Sequence, residues 1–296
     1  MKEKKAVVVE LLPLILWLLV VAAAATSTTT STHGELPVWV RARERRLLAQ
    51  SVAGMEVDAV VAMDGSGQYM SIKEALEAAP ADDSKRYVVY VKKGKYVGKV
   101  EIRRKKVMLV GDGIGETILS GRLSNRTKGT PCTATLSVHG EGFIGRDFTV
   151  ENTAGPEEKQ AVALLANASQ SVFLQCEMTG YQDTLLAEKY TQFYKDCVIS
   201  GSVDFIWGDA AAVFQGCLLL ARRPLKGGHN TITAQGRNDP RGTSGFVFQK
   251  CVVTSKENLA GVDTFLGRPW GQYARVLFMQ CDLDAAVVHP RGWTRW

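Results

Sequence analysis

Residues 172–176 read "VFLQC", and the same design returns as "FYKDC" at 193–197, "VFQGC" at 213–217, "VFQKC" at 247–251 and "LFMQC" at 277–281. Each copy carries an aromatic residue three positions ahead of its cysteine. The first three cysteines, Cys176, Cys197 and Cys217, are 21 and 20 residues apart, the length of a supersecondary unit that buries its apolar face only by stacking on its neighbours. The spacing predicts a solenoid whose successive coils set equivalent strands side by side about 4.8 Å apart. The wider intervals before Cys251 and Cys281 leave room for loops. The cysteines then form a buried ladder rather than a metal site, because no C-x-x-C pair or clustered histidine accompanies them and His33, His139, His229 and His289 stand apart.

The flanking sequence agrees with an all-β domain. From "RYVVYVKKG" at 86–94 onward, short runs of Val, Ile, Phe and Tyr alternate with Gly, Asn and Asp turns, and no long helical period appears. One short N-terminal helix is expected, where Ser71 and Glu74 form a capping box ahead of Ile72, Ala75, Leu76 and Ala79 and Pro80 ends the run. "GDGIGE" at 111–116 lacks the helix and the Lys-Ser/Thr pair of a phosphate-binding loop, so it reads as a turn between strands.

Three regions are expected. Residues 1–25 open with Lys2, Lys4 and Lys5 and continue as an apolar run ending in small residues, the pattern of a secretory signal, either cleaved near Ala25 or kept as an anchor. Glu10 and Pro13 inside the run weigh against the anchor. Residues 26–52 form a Ser/Thr-rich and then basic linker, in which Arg45-Arg46-Leu47-Leu48 is either a processing site or an amphipathic helical turn. Residues 53–296 form the folded domain. On an exported chain, Asn125-Arg126-Thr127 and Asn167-Ala168-Ser169 are candidate glycosylation sites, and the six cysteines have a pairing that sequence alone does not give. The net charge of +6 suits a polyanionic partner such as nucleic acid, anionic lipid or acidic polysaccharide, and equally suits solubility alone.

Counting from the repeat cysteines brings out the candidate chemistry. Asp183 in "GYQDTLL" (180–186) is seven residues past Cys176, and Asp204 is seven past Cys197. Two carboxylates therefore share one phase of consecutive coils, and mutual repulsion with partial burial raises the proton affinity of one relative to the other. Gln160 precedes Gln182 by 22 residues, again one coil, so two amides join the column and can donate to a developing oxyanion. With no GxSxG and no histidine spaced to act as a base, the column permits acyl transfer through a carboxylate nucleophile, and it equally permits glycoside hydrolysis by paired carboxylates.

Taken together, "QAVAL", "GYQDTL", "GSVDFIWG", "ITAQGR" and "LGRPWG" make the chain resemble a plant-type pectin methylesterase, from "AVVAMDGSGQY" through "NTAGP" to "GWTRW". The resemblance implies a right-handed parallel β-helix that removes methyl esters from galacturonate units without a cofactor or metal. It implies Asp204 as nucleophile, Asp183 as acid and then base, Gln160 and Gln182 as oxyanion donors, Arg268 as the residue holding the nucleophile, and Trp270 as a platform for the sugar ring. Methyl-esterified pectin is the implied substrate, a proteinaceous pectinesterase inhibitor is a candidate partner, no nucleic acid is expected, and a monomer secreted to the cell wall is implied. A non-catalytic wall-binding homologue and a pectin-cleaving enzyme on the same fold are the alternatives.

Departures from the family pattern occur at Leu165, Leu186, Glu188, Thr191 and Gly98, where Arg, Tyr, His, Arg and Glu are frequent. They bear on substrate grip and pH optimum rather than on the reaction. Relatives continue past "GWTRW" with further structure, so the C-terminal end reads as truncated. The expectations are an uncapped solenoid end and a loosely held Arg268–Trp270 loop.

Overall fold

The computed structural model of the chain describes residues 36–296. The expected signal segment at 1–25 and the Ser/Thr-rich stretch lie outside the described residues. The chain divides into a unit ending at Leu47 and a unit spanning Leu48–Trp296. In the first, Arg45 donates to the carbonyls of Leu36, Pro37 and Val40 at 2.8–2.9 Å, tying down the turn that opens the helix Ala42–Ala49. The Arg45-Arg46-Leu47-Leu48 stretch is thus helical.

In the second unit every ladder is parallel and the strands fall into three sheets. A nine-stranded sheet runs from Ala59–Val61 to Val276–Met279, an eight-stranded sheet from Gly94–Val97 to Asp282–Leu283, and a seven-stranded sheet from Val100–Ile102 to Thr264–Gly267. Each coil gives one strand to each sheet in turn, which makes the unit a right-handed parallel β-helix. The expected capping box is present, with Glu74 N–H donating to Ser71 Oγ at 3.2 Å. The helix spans only Ile72–Glu77, ending before Pro80, and buries Ile72 and Ala75. The "GDGIGE" stretch is a turn joining Val107–Val110 to Thr117–Gly121.

The pentapeptide repeat lies along the nine-stranded sheet and around its corner. Phe173, Tyr194, Phe214, Phe248 and Phe278 stand in register and stack with ring centroids 5.0, 4.6, 4.5 and 4.5 Å apart. The residue before each cysteine, namely Gln175, Asp196, Gly216, Lys250 and Gln280, has φ between 51° and 64°. A single left-handed residue therefore turns the chain from one sheet to the next. The cysteines are free. Cys176, Cys197, Cys217 and Cys251 are buried, and each thiol from Cys197 to Cys281 points at the carbonyl of an aromatic residue one coil back, 3.4–3.5 Å away.

A sixth copy of the design escapes the aromatic–cysteine pattern. In "IGRDF" at 144–148 the corner residue is Asp147, with φ 60°. Gly145 occupies the aromatic position opposite Phe173, and the ring has moved to Phe148, in the place of the cysteine. A Cβ at Gly145 would lie 3.0 Å from the rings of Phe143 and Phe148 and 3.1 Å from that of Phe173. The core volume is conserved while its donor residue changes.

At this end of the β-helix the sheets differ, and the expectation of an uncapped edge fails for one of them. Val276–Met279 remains partly exposed. Along the seven-stranded sheet, however, Val288 pairs with Thr264 and Trp293 with Gly267, with Leu266 N–H donating to the Gly292 carbonyl at 2.6 Å and Thr294 N–H to that of Gly267 at 3.1 Å. Trp293 also lies 6.2 Å from Phe278, beside the last ring of the stack.

Candidate active site

Asp183 and Asp204 each sit two residues ahead of a strand of the seven-stranded sheet, at Leu185–Ala187 and Ile206–Gly208, and Leu185 is directly opposite Ile206. The predicted one-coil offset is therefore present. Both aspartates are left-handed, with φ 65° and 49°, a conformation that a short carboxylate side chain tolerates and that clusters at functional sites. Both are buried, at 8% and 5% exposure.

Their surroundings differ. Asp204 is gripped by Arg268, whose Nε meets Oδ1 at 2.9 Å and whose Nη2 meets Oδ2 at 2.6 Å, a bidentate ion pair. Thr231 Oγ1 donates to Asp204 Oδ1 at 2.7 Å and accepts from its backbone N–H at 2.9 Å. Hydrogen bonding to Asp204 raises the proton affinity of the Arg268 guanidinium. Among the described residues, no side chain hydrogen-bonds or ion-pairs with the Asp183 carboxyl. Burial, and secondarily the negative charge of Asp204, push its pKa well above the usual carboxylate range, against a smaller opposing pull from Arg268. The two carboxylates are chemically unequal: one is held by a guanidinium, the other favours its proton.

The amides line up as the spacing predicts. Gln160 pairs in parallel with Gln182, and Ala161 N–H donates to the Gln182 carbonyl at 3.1 Å. Asn125 Nδ2 donates to Gln160 Oε1 at 3.2 Å, which leaves the Gln160 amide hydrogens to donate elsewhere. A depression beside these amides is lined by Pro156, Lys159, Gln160, Gln182, Ser202, Val203 and Leu225.

The Arg268–Trp270 loop is held more firmly than expected. Arg268 is fixed by its two bonds to Asp204, and its guanidinium lies 4.3 Å over the Trp296 ring. Trp270 is 45% exposed and rests on Gly236, where a Cβ would come within 2.5 Å of its ring. It meets Trp207 edge-on at 5.5 Å, and Trp207 Nε1 donates to the Asp183 carbonyl at 3.3 Å. The half-exposed Trp270 ring is thus linked through Trp207 to the main chain at Asp183.

Several contributors were not foreseen. Thr231 stands one coil beyond Asp204, but the 222–229 loop stretches the interval to 27 residues and hides the phase. Arg222 lies 3.9 Å over the Tyr181 ring, donates to Tyr181 Oη at 2.8 Å and to the Gly180 carbonyl at 3.0 Å, and is held by Glu257 at 3.1 Å. It clamps the turn that carries Gln182 and Asp183. The substituted positions Leu165 and Leu186 are buried in a small apolar cluster with Ala134 and Val162, against Trp207.

Comparison with known proteins places this geometry among relatives. Residues 58–296 match the family model described as Pectinesterase. The chain is 46% identical over 272 residues to the pectinesterase/pectinesterase inhibitor PPE8B of Prunus persica, an alignment covering 89% of this chain and 52% of that protein. The chain thus spans about half the length of the curated relatives it matches. Among solved structures, the pectin methylesterase from carrot superposes with a TM-score of 0.80 at 40% identity, covering 83% of this chain and 78% of that one. The pectin methylesterase of Aspergillus niger gives 0.72 at 31% identity, covering 80% and 79%.

Proposed function

Because the chain belongs to the pectinesterase family, we propose that it hydrolyses the methyl esters of galacturonate units in pectin, releasing methanol and leaving pectate. The observation that carries this reading is the pair of stacked carboxylates in unequal surroundings, Asp204 clamped by Arg268 and Asp183 favouring its proton.

In the proposed cycle an oxygen of Asp204 attacks the ester carbonyl, and the oxyanion that forms accepts hydrogen bonds from the Gln160 and Gln182 amides. Asp183 gives its proton to the departing methoxide, so methanol leaves and an anhydride joins Asp204 to the uronate. Asp183, now anionic, takes a proton from water as that water attacks the anhydride, which returns Asp204 and Asp183 to their starting states and frees the carboxylic acid. Arg268 orients the nucleophile and Trp270 offers its face to a sugar ring. The cycle balances with water as the only co-reactant. The non-catalytic alternative finds no support in a site that retains both carboxylates, both amides and the arginine.

Secretion to the cell wall, and a proteinaceous inhibitor as partner, belong to the same proposal, supported by the N-terminal sequence pattern and by the inhibitor named in the Prunus persica relative. The test is incubation of the purified protein with methyl-esterified pectin. The proposal expects methanol with the polymer length unchanged, whereas chain shortening without methanol would point to a depolymerase and overturn it.

A further inference from the structure

The thiol ladder of the aromatic–cysteine repeat takes no part in the ester chemistry, and its last step differs from the others. Cys176, Cys197, Cys217 and Cys251 are buried, whereas Cys281 is partly exposed. A solute therefore reaches the ladder at Cys281. Register fixes its neighbour: Gln249 is opposite Met279 and Val252 is opposite Asp282, so Cys251 and Cys281 face each other on adjacent coils. Phe248 and Phe278, three residues before them, stack with ring centroids 4.5 Å apart, which holds the two coils together at this corner.

The thiols are lightly tethered. Cys281 Sγ lies 3.4 Å from the carbonyl oxygen of Phe248, on the coil that carries Cys251, and 3.3 Å from that of Met279. Cys251 Sγ lies 3.4 Å from the carbonyl oxygen of Phe214 and 3.5 Å from that of Gln249. Contacts of this S–H···O kind are weak, so turning one thiol toward the other gives up little. Paired strands run about 4.8 Å apart, inside the Cα separation of roughly 4.4–6.8 Å that a disulfide spans. The backbone already stands where the bond needs it.

We infer that Cys251 and Cys281 are an oxidisable pair that closes into a disulfide and staples the last two coils of the nine-stranded sheet. The step is an exchange with a small-molecule disulfide. The Cys281 thiolate attacks one sulfur of the oxidant and expels the other half; the Cys251 thiolate then attacks the Cys281 sulfur and expels the remaining half. One S–S bond breaks in the oxidant, one forms in the protein, and the two protons of the protein thiols end on the two small thiols released. Burial pushes the Cys281 thiol above its usual range, and charge on Cys251 adds to this, so the exchange quickens as pH is raised. An exported chain, as proposed above, meets surroundings in which such a bond persists. The bond closes residues 251–281 into a ring. That ring contains Arg268, so the staple also restrains the segment that supplies the clamp on Asp204. The pairing itself does not depend on the esterase reading.

The experiment treats the purified protein at about pH 8 with oxidised glutathione or with dithiothreitol. Digestion without reduction, followed by mass spectrometry, should find the peptides of Cys251 and Cys281 joined in the oxidised sample and separate in the reduced one. The oxidised protein should melt about 5 °C higher, and the amides of Val276–Met279 should exchange about tenfold more slowly. Cys281→Ser should melt alike in both conditions, while Cys132→Ser, which removes an exposed thiol outside the ladder, should keep the full shift. Mass mapping of the wild type decides the pairing even where a variant folds poorly. A Cys281 that stays a thiol, stops as a mixed disulfide with glutathione or bonds to Cys132 of a second molecule would overturn the inference. So would a Cys251–Cys281 bond that moves neither the melting temperature nor the exchange.

Discussion

Asp183 and Asp204 are the same side chain on the same kind of turn one coil apart, and their neighbours make them different. Asp204 has Arg268 and Thr231; Asp183 has burial and the charge of Asp204. The sign of the consequence for stability is definite. A carboxyl whose pKa is raised on folding contributes fully below its unfolded value, about 4, and that contribution is lost as pH rises through the folded value. Asp183→Asn removes the penalty, so its melting temperature should gain on that of wild type as pH is raised from about 4 to 8; an offset that stays constant across that range would contradict the assignment of the raised pKa. Thr231→Val keeps the shape and deletes the donor to Asp204. It should lower kcat about tenfold with KM little altered, whereas an effect confined to KM would place Thr231 outside the reacting centre. The carboxylates and amides were legible in the sequence because they keep the 20–22 residue phase. Thr231 was not, because a loop inserted between its coil and that of Asp204 destroys the count.

At the scale of the strand and its corner, the repeat is a trade of volumes around a left-handed residue. Five copies announce themselves by an aromatic and a cysteine, and the copy at 144–148 does not, because Gly145 and Phe148 exchange the roles of large and small. Periodicity detects repeated residue types, whereas packing conserves only summed volume. The exchange is testable as a coupling. Gly145→Phe alone drives a ring into space already filled by Phe143, Phe148 and Phe173 and should destabilise by about 1–3 kcal/mol. Adding Phe148→Cys recreates the common design and should recover most of that loss. Urea unfolding of the two single variants and the double variant measures the coupling, and additive losses would show that the two sites do not share one volume.

For the β-helix unit as a whole, stability is the sum of contacts between neighbouring coils, so its ends are its weakest parts. Amide hydrogen exchange should be slowest in the strands between residues 171 and 221, which have coils on both sides, and faster in Val276–Met279 and Asp282–Leu283. Protection at Leu266 and Thr294, by contrast, should exceed that of Val276–Met279, because the segment around Val288 and Trp293 pairs along the seven-stranded sheet. Uniform protection from centre to end would contradict the coil-by-coil picture. The same segment explains why the Arg268–Trp270 loop is held where sequence reading expected it loose: pairing through isolated bridges leaves no periodic signal. The net charge of +6 left nucleic acid, lipid and acidic polysaccharide equally open as partners, and the choice made in the proposed function rests on family membership.

The central claim, that a clamped aspartate is the nucleophile of an ester hydrolysis, is tested most directly by methanol release from methyl-esterified pectin with Asp204→Asn beside wild type. The amide is nearly isosteric, so the fold should persist, with a lowered melting temperature because Arg268 loses its anionic partner. It cannot form the anhydride, so turnover should fall by about a thousandfold or more. A folded Asp204→Asn protein that releases methanol at a near-normal rate would contradict the claim.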